Sequence, residues 1–317
     1  MLIQAPEKEY QTWSIDSRRW QGYRPRPDDV VIATSPKCGT TWTQQIVSSL
    51  VFQDAVARPI SEVSLWPDTR FRLSKDDLCS ALEAQTHRRF LKSHVPMDGL
   101  PLYSEVRYIH VARDGRDAAM AMHNHYGGFT GSHLELLDGI GMRDPQISRP
   151  YPRLPRDPAE YFRQWLTESV IEGQSDGWPS PSFFDLEVGY WAERRRPNVL
   201  LVHFNDLKAD LDGEMRRISA FLDIAVDETL WNQLVAAAGF EAMRSAGATL
   251  MPPTVQNLEG GSDRFFNKGV NGRWRDVLSP SDQALYAAKV RAKFTPGLAA
   301  WIEGGRRRSG DPATSDD

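Results

Sequence analysis

The residues best suited to chemistry form one short run near the N-terminus. Residues 35–42 read Ser-Pro-Lys-Cys-Gly-Thr-Thr-Trp and directly follow the apolar run 29–34, with a helical pattern behind them. The first N–H groups of a helix have no intrahelical partner, and the helix dipole is positive there. Lys37 adds a full positive charge, the two threonines add hydroxyl donors, and Gly39 lets the backbone approach a phosphate closely. The run is therefore predicted to bind a phosphate group.

This loop differs from the phosphate loop of nucleoside-triphosphate enzymes, which reads G-x-x-x-x-G-K-[ST]. No glycine lies five residues before Gly39, and Lys37 precedes the glycine instead of following it. A lysine on a strand-to-helix turn would by itself be an ordinary surface feature. The complete run P-K-C-G-T-T-W in this position favours a phosphate site of another kind.

Two further residues follow β-rich runs and could meet the loop at one edge of a sheet. Arg113 follows the run 107–112, and an arginine at a strand end is suited to bidentate capture of a phosphate. His94 follows the run 89–93, and ligands in open α/β folds bind at the carboxyl ends of the strands. Alone, Arg113 could belong to a surface ion-pair cluster, and His94 could be a solvated loop histidine.

Together these segments resemble the cytosolic-type sulfotransferase family, whose phosphosulfate loop reads P-K-[SC]-G-T-T-W. The likeness extends over roughly residues 29–276 and includes the segments around His94 and Arg113 and the segment 266–274. It implies an α/β fold and a sulfuryl donor, 3′-phosphoadenosine 5′-phosphosulfate (PAPS), which leaves PAP as its product. The residues that would hold the 5′-phosphosulfate end are Lys37, Cys38, Gly39, Thr40, Thr41 and Trp42.

The resemblance also implies how the adenine end would be held. Trp42 would stack on the adenine, as the loop tryptophan of the family does. Phe184 and Phe240 stand where the family has aromatic residues on the adenine side. Cys38 occupies a slot that is commonly Ser, so its backbone N–H is expected to matter more than its thiol.

The 3′-phosphate would be held by Arg113 and by a C-terminal segment that resembles the family's R-K-G-x-x-G-x-W. Lys268 and Gly269 of that segment are retained, but Asn267 stands where an Arg is common. Ala121 stands where the family usually has a Ser, eight residues after the arginine. Because a lost charged hydrogen bond costs about 1.5–3 kcal/mol, we expect weaker binding of the 3′-phosphate unless a neighbour substitutes. Our hypothesis is that Arg273 or His123 makes the missing contact.

The same resemblance assigns the chemistry. Residues 90–96 resemble the family's L-K-[ST]-H-x-P, in which the histidine takes the proton of the acceptor, so His94 is the predicted general base. Lys92 would assist beside the reacting centre, and Lys37 would neutralise the charge that develops on the departing phosphate oxygen. No metal ion is expected to take part.

Short β-rich runs alternate with helical patterns along the chain, which predicts a single α/β domain with a central, mostly parallel sheet flanked by helices. The predicted strands are 29–34, 89–93, 107–112 and 199–204. The predicted helices are 41–53, 117–125, 159–173, 183–195 and 211–222. We expect the domain at 29–303, between a lead-in at 1–28 and a disordered tail at 304–317, with a long surface loop at 127–158.

Composition narrows the setting in which the protein works. The chain of 317 residues has a net charge of −4, which gives no support to nucleic-acid binding. Two distant cysteines, the absence of a signal-peptide pattern and the absence of a long apolar run lead us to expect a cytoplasmic protein without a transmembrane segment. The sequence leaves the oligomeric state open.

The acceptor and two rival functions stay open at this stage. Trp66, Phe71, Tyr126 and Phe129 are candidate pocket aromatics, which suggests an apolar or aromatic alcohol as the acceptor. A lipid or glycolipid hydroxyl is equally allowed, and the attacking group could also be an amine. One rival is an ATP- and Mg²⁺-dependent kinase with Asp206 as the metal carboxylate. The other is a protein that binds a nucleotide as a sensor and no longer catalyses a reaction.

Overall fold

A computed structural model, which describes residues 1–252 and 256–317, has a four-stranded parallel sheet at its centre. Its strands are β2 (Val30–Ala33), β3 (Phe90–Ser93), β5 (Arg107–Ala112) and β6 (Val199–His203), in the order β3-β2-β5-β6. A separate antiparallel pair joins β1 (Leu2–Gln4) to β4 (Leu102–Tyr103). The predicted α/β fold with a parallel sheet is confirmed, and each of the four predicted strands is present to within one residue at either end.

Helices flank this sheet and connect its strands. Before β6 they are α1 (Thr40–Phe52), α2 (Ile60–Val63), α3 (Lys75–Ala84), α4 (Gly115–Tyr126), α5 (Gly131–Arg143), α6 (Pro158–Thr167) and α7 (Phe183–Ala192). After β6 follow α8 (Phe204–Ala209), α9 (Leu211–Phe221), α10 (Glu228–Ala237), α11 (Phe240–Ser245) and α12 (Gly247–Leu250). The C-terminal helices are α13 (Gly261–Phe265), α14 (Pro280–Lys293), α15 (Pro296–Gly304) and α16 (Arg306–Ser309). Short 3₁₀ turns lie at Ser17–Gly22, Met97–Gly99, Arg273–Asp276 and Pro312–Thr314.

Both faces of the sheet are buried, which explains why its strands are almost uniformly apolar. Alternate residues of β2 serve different cores, because successive side chains of a strand point to opposite faces. Val30 and Ile32 belong to the core that includes α1 and α9, whereas Val31 and Ala33 belong to the larger core on the other side. None of the described helices is long and apolar enough to cross a membrane.

The four strands end at the same edge of the sheet, where β5 and β6 run two residues beyond β2 and β3, and this edge positions the site. In the parallel register Ala33 lies between Ser93 of β3 and His110 of β5, and Ala112 lies beside His203 of β6. The residues immediately after these ends therefore converge. The order in which strands are added to the sheet also reverses at β2, because β3 lies on one side of β2 and β5 lies on the other. Open α/β sheets bind ligands at such a switch point.

One predicted loop contains a helix. Residues 127–158 were expected to be irregular because of their Gly, Pro and Arg content, but α5 occupies Gly131–Arg143. Thr130 caps its N-terminus by accepting a hydrogen bond from the backbone N–H of His133. Gly141 lowers the helix propensity but is required, because a Cβ there would lie 2.4 Å from Nε1 of Trp13. Packing has overridden the local composition.

The C-terminal residues are folded against the domain, contrary to the expectation of a disordered tail at 304–317. Asp206, at the start of α8, accepts hydrogen bonds from the backbone N–H groups of Arg306 (2.6 Å) and Arg307 (3.1 Å). The Arg306 guanidinium also donates to the buried carboxylate of Glu214 at 2.7 Å. Polar, Gly-rich composition suggested disorder, and these contacts with carboxylates distant in sequence could not be read from it.

Candidate active site

The ends of all four parallel strands open into one cavity of about 470 Å³. The loop after β2, His94 after β3, Arg113 after β5 and Phe204 after β6 all line it. The C-terminal segment 267–270 closes one side, and residues of α4 and α5 close the other. The predicted residues His94, Lys37, Lys92 and Arg113 are thus brought together.

The loop after β2 is held in a conformation that depends on glycine. Gly39 has φ +122°, in the region that residues with a side chain rarely adopt, and it directly precedes α1. A Cβ at Gly39 would lie 3.2 Å from Val111 and 3.3 Å from Phe204, so the backbone is also packed tightly from behind. Because Gly39 has no side chain, the N-terminus of α1 has no side-chain capping hydrogen bond. The first N–H groups of α1 can therefore donate to an anion.

Cys38 contributes backbone and not thiol to this loop. Its side chain is fully buried beneath the loop, and it is absent from the described lining of the cavity. Burial, followed by the nearby Glu187 carboxylate, raises the pKa of the thiol, so the thiol stays protonated. This placement agrees with the expectation that the backbone N–H of Cys38 matters more than its thiol.

His94 has one ring nitrogen fixed by the protein. Its Nδ1 lies 2.7 Å from the carbonyl oxygen of Thr34, so Nδ1–H donates that hydrogen bond and Nε2 carries the free lone pair. Burial, and then the charges of Lys92 and Lys37, hold the pKa of His94 well below its ordinary value, although the Thr34 carbonyl opposes the shift. The imidazole is therefore neutral at neutral pH, the state that a general base requires.

Asp68 supports His94 from behind and was not recognised from the sequence. It is fully buried, and its two carboxylate oxygens accept hydrogen bonds from the indole N–H of Trp20 (3.1 Å) and of Trp66 (2.7 Å). It also accepts from the backbone N–H of His94 at 3.2 Å. An isolated Asp in a loop gives no sequence signal for such a role, because its donors come from three separate segments.

The two lysines of the site are half-buried and have lowered pKa values. Burial, together with the charge of Arg113, lowers the pKa of Lys37 to about 8. Burial, followed by the charges of Arg72 and then Lys37, lowers that of Lys92 to about 7, with Asp68 acting in the opposite direction. Crowded cations without a counter-ion raise the energy of the site, and an anion bound between them would relieve it.

Arg113 links the loop to the C-terminal segment. Its guanidinium donates to the carbonyl oxygen of Lys37 at 2.9 Å and to the side-chain oxygen of Asn271 at 2.9 Å, and it stacks on the ring of Phe204 at 4.1 Å. Its Nε is buried and has no hydrogen-bond partner among the described residues. Arg113 therefore holds the loop backbone in place and keeps one donor free.

Several groups surround the predicted 3′-phosphate position. Ala121, Asn267, Lys268 and Gly269 line the cavity at this end. Lys208 of α8 also lines it and donates to the carbonyl oxygen of Gly269 at 2.7 Å. Gly269 has φ +59°, and a Cβ there would lie 2.7 Å from the ring of Phe240. The segment is thus folded tightly over the aromatic residue that was predicted beside the adenine.

Charge is distributed very unevenly around the cavity. Its described lining contains seven cationic residues, namely Lys37, Arg72, Lys92, Arg113, Lys208, Lys268 and Arg273. No Asp or Glu is present in that described lining, although the whole chain carries a net charge of −4. The cavity therefore favours an anionic ligand with more than one charged group.

Comparison with known proteins identifies the family. The sequence pattern of the sulfotransferase domain matches residues 27–295. The chain is also 34% identical over 320 aligned residues to a glycolipid sulfotransferase of Mycobacterium tuberculosis, a match that covers 96% of each chain. The protein belongs to the sulfotransferase family.

Solved structures agree with the fold of this sulfotransferase. Retinol dehydratase in complex with androsterone and the inactive cofactor PAP aligns with a TM-score of 0.66 at 21% identity, covering 88% of this chain and 86% of the other. Mouse sulfotransferase SULT7A1 in complex with PAP aligns with a TM-score of 0.61 at 19% identity, covering 87% and 88%. Mouse sulfotransferase 1B1 is 24% identical in sequence over 299 residues, which cover 89% of this chain and 88% of the relative.

The aromatic residues at the predicted adenine end of the sulfotransferase include one correction. Trp42 and Phe240 line the cavity as expected, but Phe184 lies in the core and outside the cavity lining. The ring of Phe184 packs 4.9 Å from that of Phe294. Phe204 lies in the cavity instead, with its ring 5.4 Å from Trp42. Its position directly after β6, at the carboxyl edge of the sheet, was a signal that could have found it.

The structure also places the residues named in two further expectations. Arg273 lines the cavity, whereas His123 lies outside the described lining, where its Nε2 donates to the carbonyl oxygen of Pro155 at 3.0 Å. Asp206, the metal carboxylate of the kinase alternative, is buried against the C-terminal backbone and does not line the cavity. The described residues contain no cluster of metal-ligating side chains.

The far end of the cavity is aromatic. All four residues proposed for the acceptor end line it, namely Trp66, Phe71, Tyr126 and Phe129. The ring of Trp66 stands edge-on to the imidazole of His94 at 5.2 Å, and Lys92 lies over the Trp66 ring at 3.7 Å. The aromatic chamber formed by these four residues thus begins beside the imidazole of His94.

Proposed function

We propose that this sulfotransferase transfers the sulfuryl group of PAPS to a hydroxyl group of an acceptor that has an apolar body. The observation that carries the proposal is the single cavity, whose lining contains seven cations, the His94 imidazole and an aromatic half formed by Trp66, Phe71, Tyr126 and Phe129. A donor with two separate anionic groups matches the seven lining cations, which are spread from Lys37 to Lys268. An apolar acceptor matches the aromatic half.

The chain's own residues fit such a donor. The unpartnered Nε of Arg113 and the uncapped start of α1 are hydrogen-bond donors in need of an acceptor, and both belong to residues that line the cavity. The loop residues Lys37 to Trp42 would hold the 5′ end, and Arg113 with Lys268 would hold the 3′-phosphate. PAPS would supply a sulfur atom open to in-line attack, with a phosphate as the leaving group.

His94 would act as the general base through Nε2. The Thr34 carbonyl fixes the tautomer, so the nitrogen with the free lone pair is the one available to the acceptor hydroxyl. As the acceptor oxygen bonds to sulfur, its proton passes to Nε2 of His94, and the bond from sulfur to the bridging phosphate oxygen breaks. Lys37, protonated beside the bound anion, would stabilise the negative charge on that oxygen. Lys92 would add positive charge beside the reacting centre.

The acceptor class rests on the aromatic half and on the relatives. Phe71, Phe129 and Phe265 offer ring surfaces that suit a lipid or an aromatic body. The Mycobacterium tuberculosis relative is named as a glycolipid sulfotransferase, which supports a lipid or glycolipid alcohol over a small phenol. Both cysteines are unpaired, and Cys38 is buried as a thiol, which supports action in a reducing, cytoplasmic setting.

Ligand-induced stabilisation tests this function against the kinase and ATP-sensor alternatives. A specific ligand at 100 times its dissociation constant adds about 2.7 kcal/mol to the free energy of unfolding. We expect PAP to raise the melting temperature more than ATP with Mg²⁺ or adenosine 5′-phosphosulfate, which lacks the 3′-phosphate. Lys37→Met should abolish the PAP shift, while Lys75→Met, on exposed α3, should keep it. A larger shift with ATP and Mg²⁺ than with PAP would contradict the proposal.

A further inference from the structure

Two histidines at the acceptor end, one buried and one half-buried, have no part in the proposed reaction. His125 lies in the last turn of α4, His133 lies in the first turn of α5, and both line the cavity. The Nδ1 atom of each is buried without a hydrogen-bond partner among the described residues, and neither imidazole makes any side-chain hydrogen bond to those residues. Buried polar groups are usually paired, so two such rings in one chamber require an explanation.

Both imidazoles contact the same aromatic ring. Phe129 contacts His133 edge-on at 4.5 Å between ring centroids and His125 at 5.4 Å. Phe265 also packs against His125 at 5.9 Å, and Phe71 packs against His133 at 5.4 Å. The chamber therefore combines aromatic surfaces with two imidazole nitrogens that have no hydrogen-bond partner among the described residues.

Both imidazoles are uncharged at neutral pH. Burial lowers the pKa of His133, and burial followed by the charges of Lys37 and Lys92 holds that of His125 well below its ordinary value. A neutral imidazole offers one N–H donor and one nitrogen acceptor. A half-turn of the ring exchanges nitrogen and carbon positions, so each ring can present a nitrogen to either side. Such a pair suits hydroxyl groups, which also donate and accept.

We propose that His125 and His133 bind hydroxyl groups of a sugar-like head group, next to the hydroxyl that receives the sulfuryl group. A sugar ring has C–H faces that pack on aromatic rings and an edge of hydroxyls that both donate and accept hydrogen bonds. An alcohol with a single hydroxyl leaves both imidazoles unpaired, and sites with buried polar groups reject analogues that lack the matching hydroxyl. This inference rests on the proposed sulfuryl transfer and narrows its acceptor.

A pair of acceptors with the same chain tests the inference. Octyl β-D-glucopyranoside and 1-octanol share an octyl group and differ in the sugar. We expect the wild-type protein to transfer label from PAPS to the glucoside with the higher kcat/KM. His125→Phe and His133→Phe should each lower the ratio of the two kcat/KM values by about tenfold, the effect of one neutral hydrogen bond. His125→Gln and His133→Gln, which keep a donor and an acceptor, should restore most of the ratio.

His123→Phe provides the matched control, because His123 lies on the same helix as His125 and outside the described cavity lining. It should leave the acceptor ratio unchanged. An unchanged ratio in both His125→Phe and His133→Phe, or a wild-type preference for octanol, would overturn the inference. The inference also fails if neither variant weakens binding of the glucoside to the PAP-loaded protein, as measured by calorimetry.

Failure of the underlying function gives a different result. If the wild-type protein neither binds PAP nor transfers label to either acceptor, the proposed sulfuryl transfer is contradicted, and so is the inference about the head group. If the protein binds PAP and labels both acceptors, but the ratio of the two kcat/KM values does not change in the His125 and His133 variants, only the inference about the head group is contradicted.

Discussion

The two ends of the cavity that would hold the two phosphate groups of PAPS are built differently. At the 5′ end, the binding groups are backbone N–H groups of the loop after β2. In this loop Gly39 has a positive φ and packs against Val111 and Phe204, and the guanidinium of Arg113 donates a hydrogen bond to the carbonyl oxygen of Lys37. At the 3′ end they are largely side chains, and two of them, Lys208 and Lys268, are exposed at the mouth.

This difference explains where the sequence follows the family pattern and where it departs. A backbone cradle works only with the residues that allow its conformation, so a change at Gly39 would disturb every N–H group of the loop at once. A phosphate held by side chains can exchange one cation for another nearby. The departures at Ala121 and Asn267 lie at the second kind of site, where Lys208 and Arg273 are additional cations.

The largest expected effect is a loss of turnover without a loss of PAP affinity. His94→Ala should lower kcat by about 10²–10⁴-fold, the usual contribution of a general base, while PAP affinity changes little. Single-turnover transfer and PAP titration measure the two quantities separately. His87→Ala, at a histidine outside the described cavity lining, is the control. Equal turnover in the His94→Ala variant and the wild type would contradict the assignment of His94 as the general base.

At the 3′ end, exchangeable cations should tune affinity without changing turnover. Because a charged hydrogen bond contributes about 1.5–3 kcal/mol, Arg273→Ala or Lys208→Ala should weaken PAP binding by tenfold or more. Asn267→Arg should tighten it by adding a charge, and His123→Ala should have no effect. Calorimetric titration of PAP measures all four variants. PAP affinity that is unchanged in both the Arg273→Ala and Lys208→Ala variants would show that neither compensates for Asn267.

Gly39 tests whether the 5′ cradle depends on its backbone. Ala at this φ costs about 1–2 kcal/mol, and its Cβ would also press on Val111 and Phe204. We expect Gly39→Ala to weaken PAP binding by about 5–30-fold, with a small fall in melting temperature. Gly131→Ala is the matched control, because nothing lies within 4 Å of a Cβ there. Unchanged PAP affinity in Gly39→Ala would contradict a backbone-built site.

The smallest expected effect is a pH dependence that distinguishes the two ends. Burial and Arg113 lower the pKa of Lys37 to about 8, so its charge is present below that pH and is lost as the pH rises through it. PAP affinity should therefore decline by a few-fold above about pH 8, and Lys37→Met should lack this step. Titrations of PAP at a series of pH values measure the effect. An affinity that is flat to pH 10 in the wild type would contradict the shifted lysine.

Sequence reasoning reached the parts of the structure that depend on short segments. The strands, the loop Ser35–Trp42 and the convergence of His94 with Arg113 all follow from apolar runs and from what lies at their ends. The error at Phe184 has the opposite origin. Whether a helical aromatic faces the core or a cavity depends on partners distant in sequence, here Phe294 and Trp165, and no local pattern contains them.

Other features of the site were beyond sequence reasoning for the same reason. Asp68 draws its hydrogen bonds from Trp20, Trp66 and the backbone of His94, which lie on three segments. The unpaired state of His125 and His133 is a property of what surrounds them in the folded chain. The sequence showed only two histidines near a predicted loop.

Transfer of radiolabelled sulfuryl from PAPS in the presence of EDTA tests the central claim most directly. The acceptors should include lipid alcohols, alkyl glucosides and phenols, and the same protein should be offered labelled ATP with Mg²⁺. We expect label from PAPS to appear on a hydroxyl acceptor at a rate that EDTA does not change. Absence of transfer from PAPS to every acceptor, with phosphate transfer from ATP and Mg²⁺, would contradict the assignment.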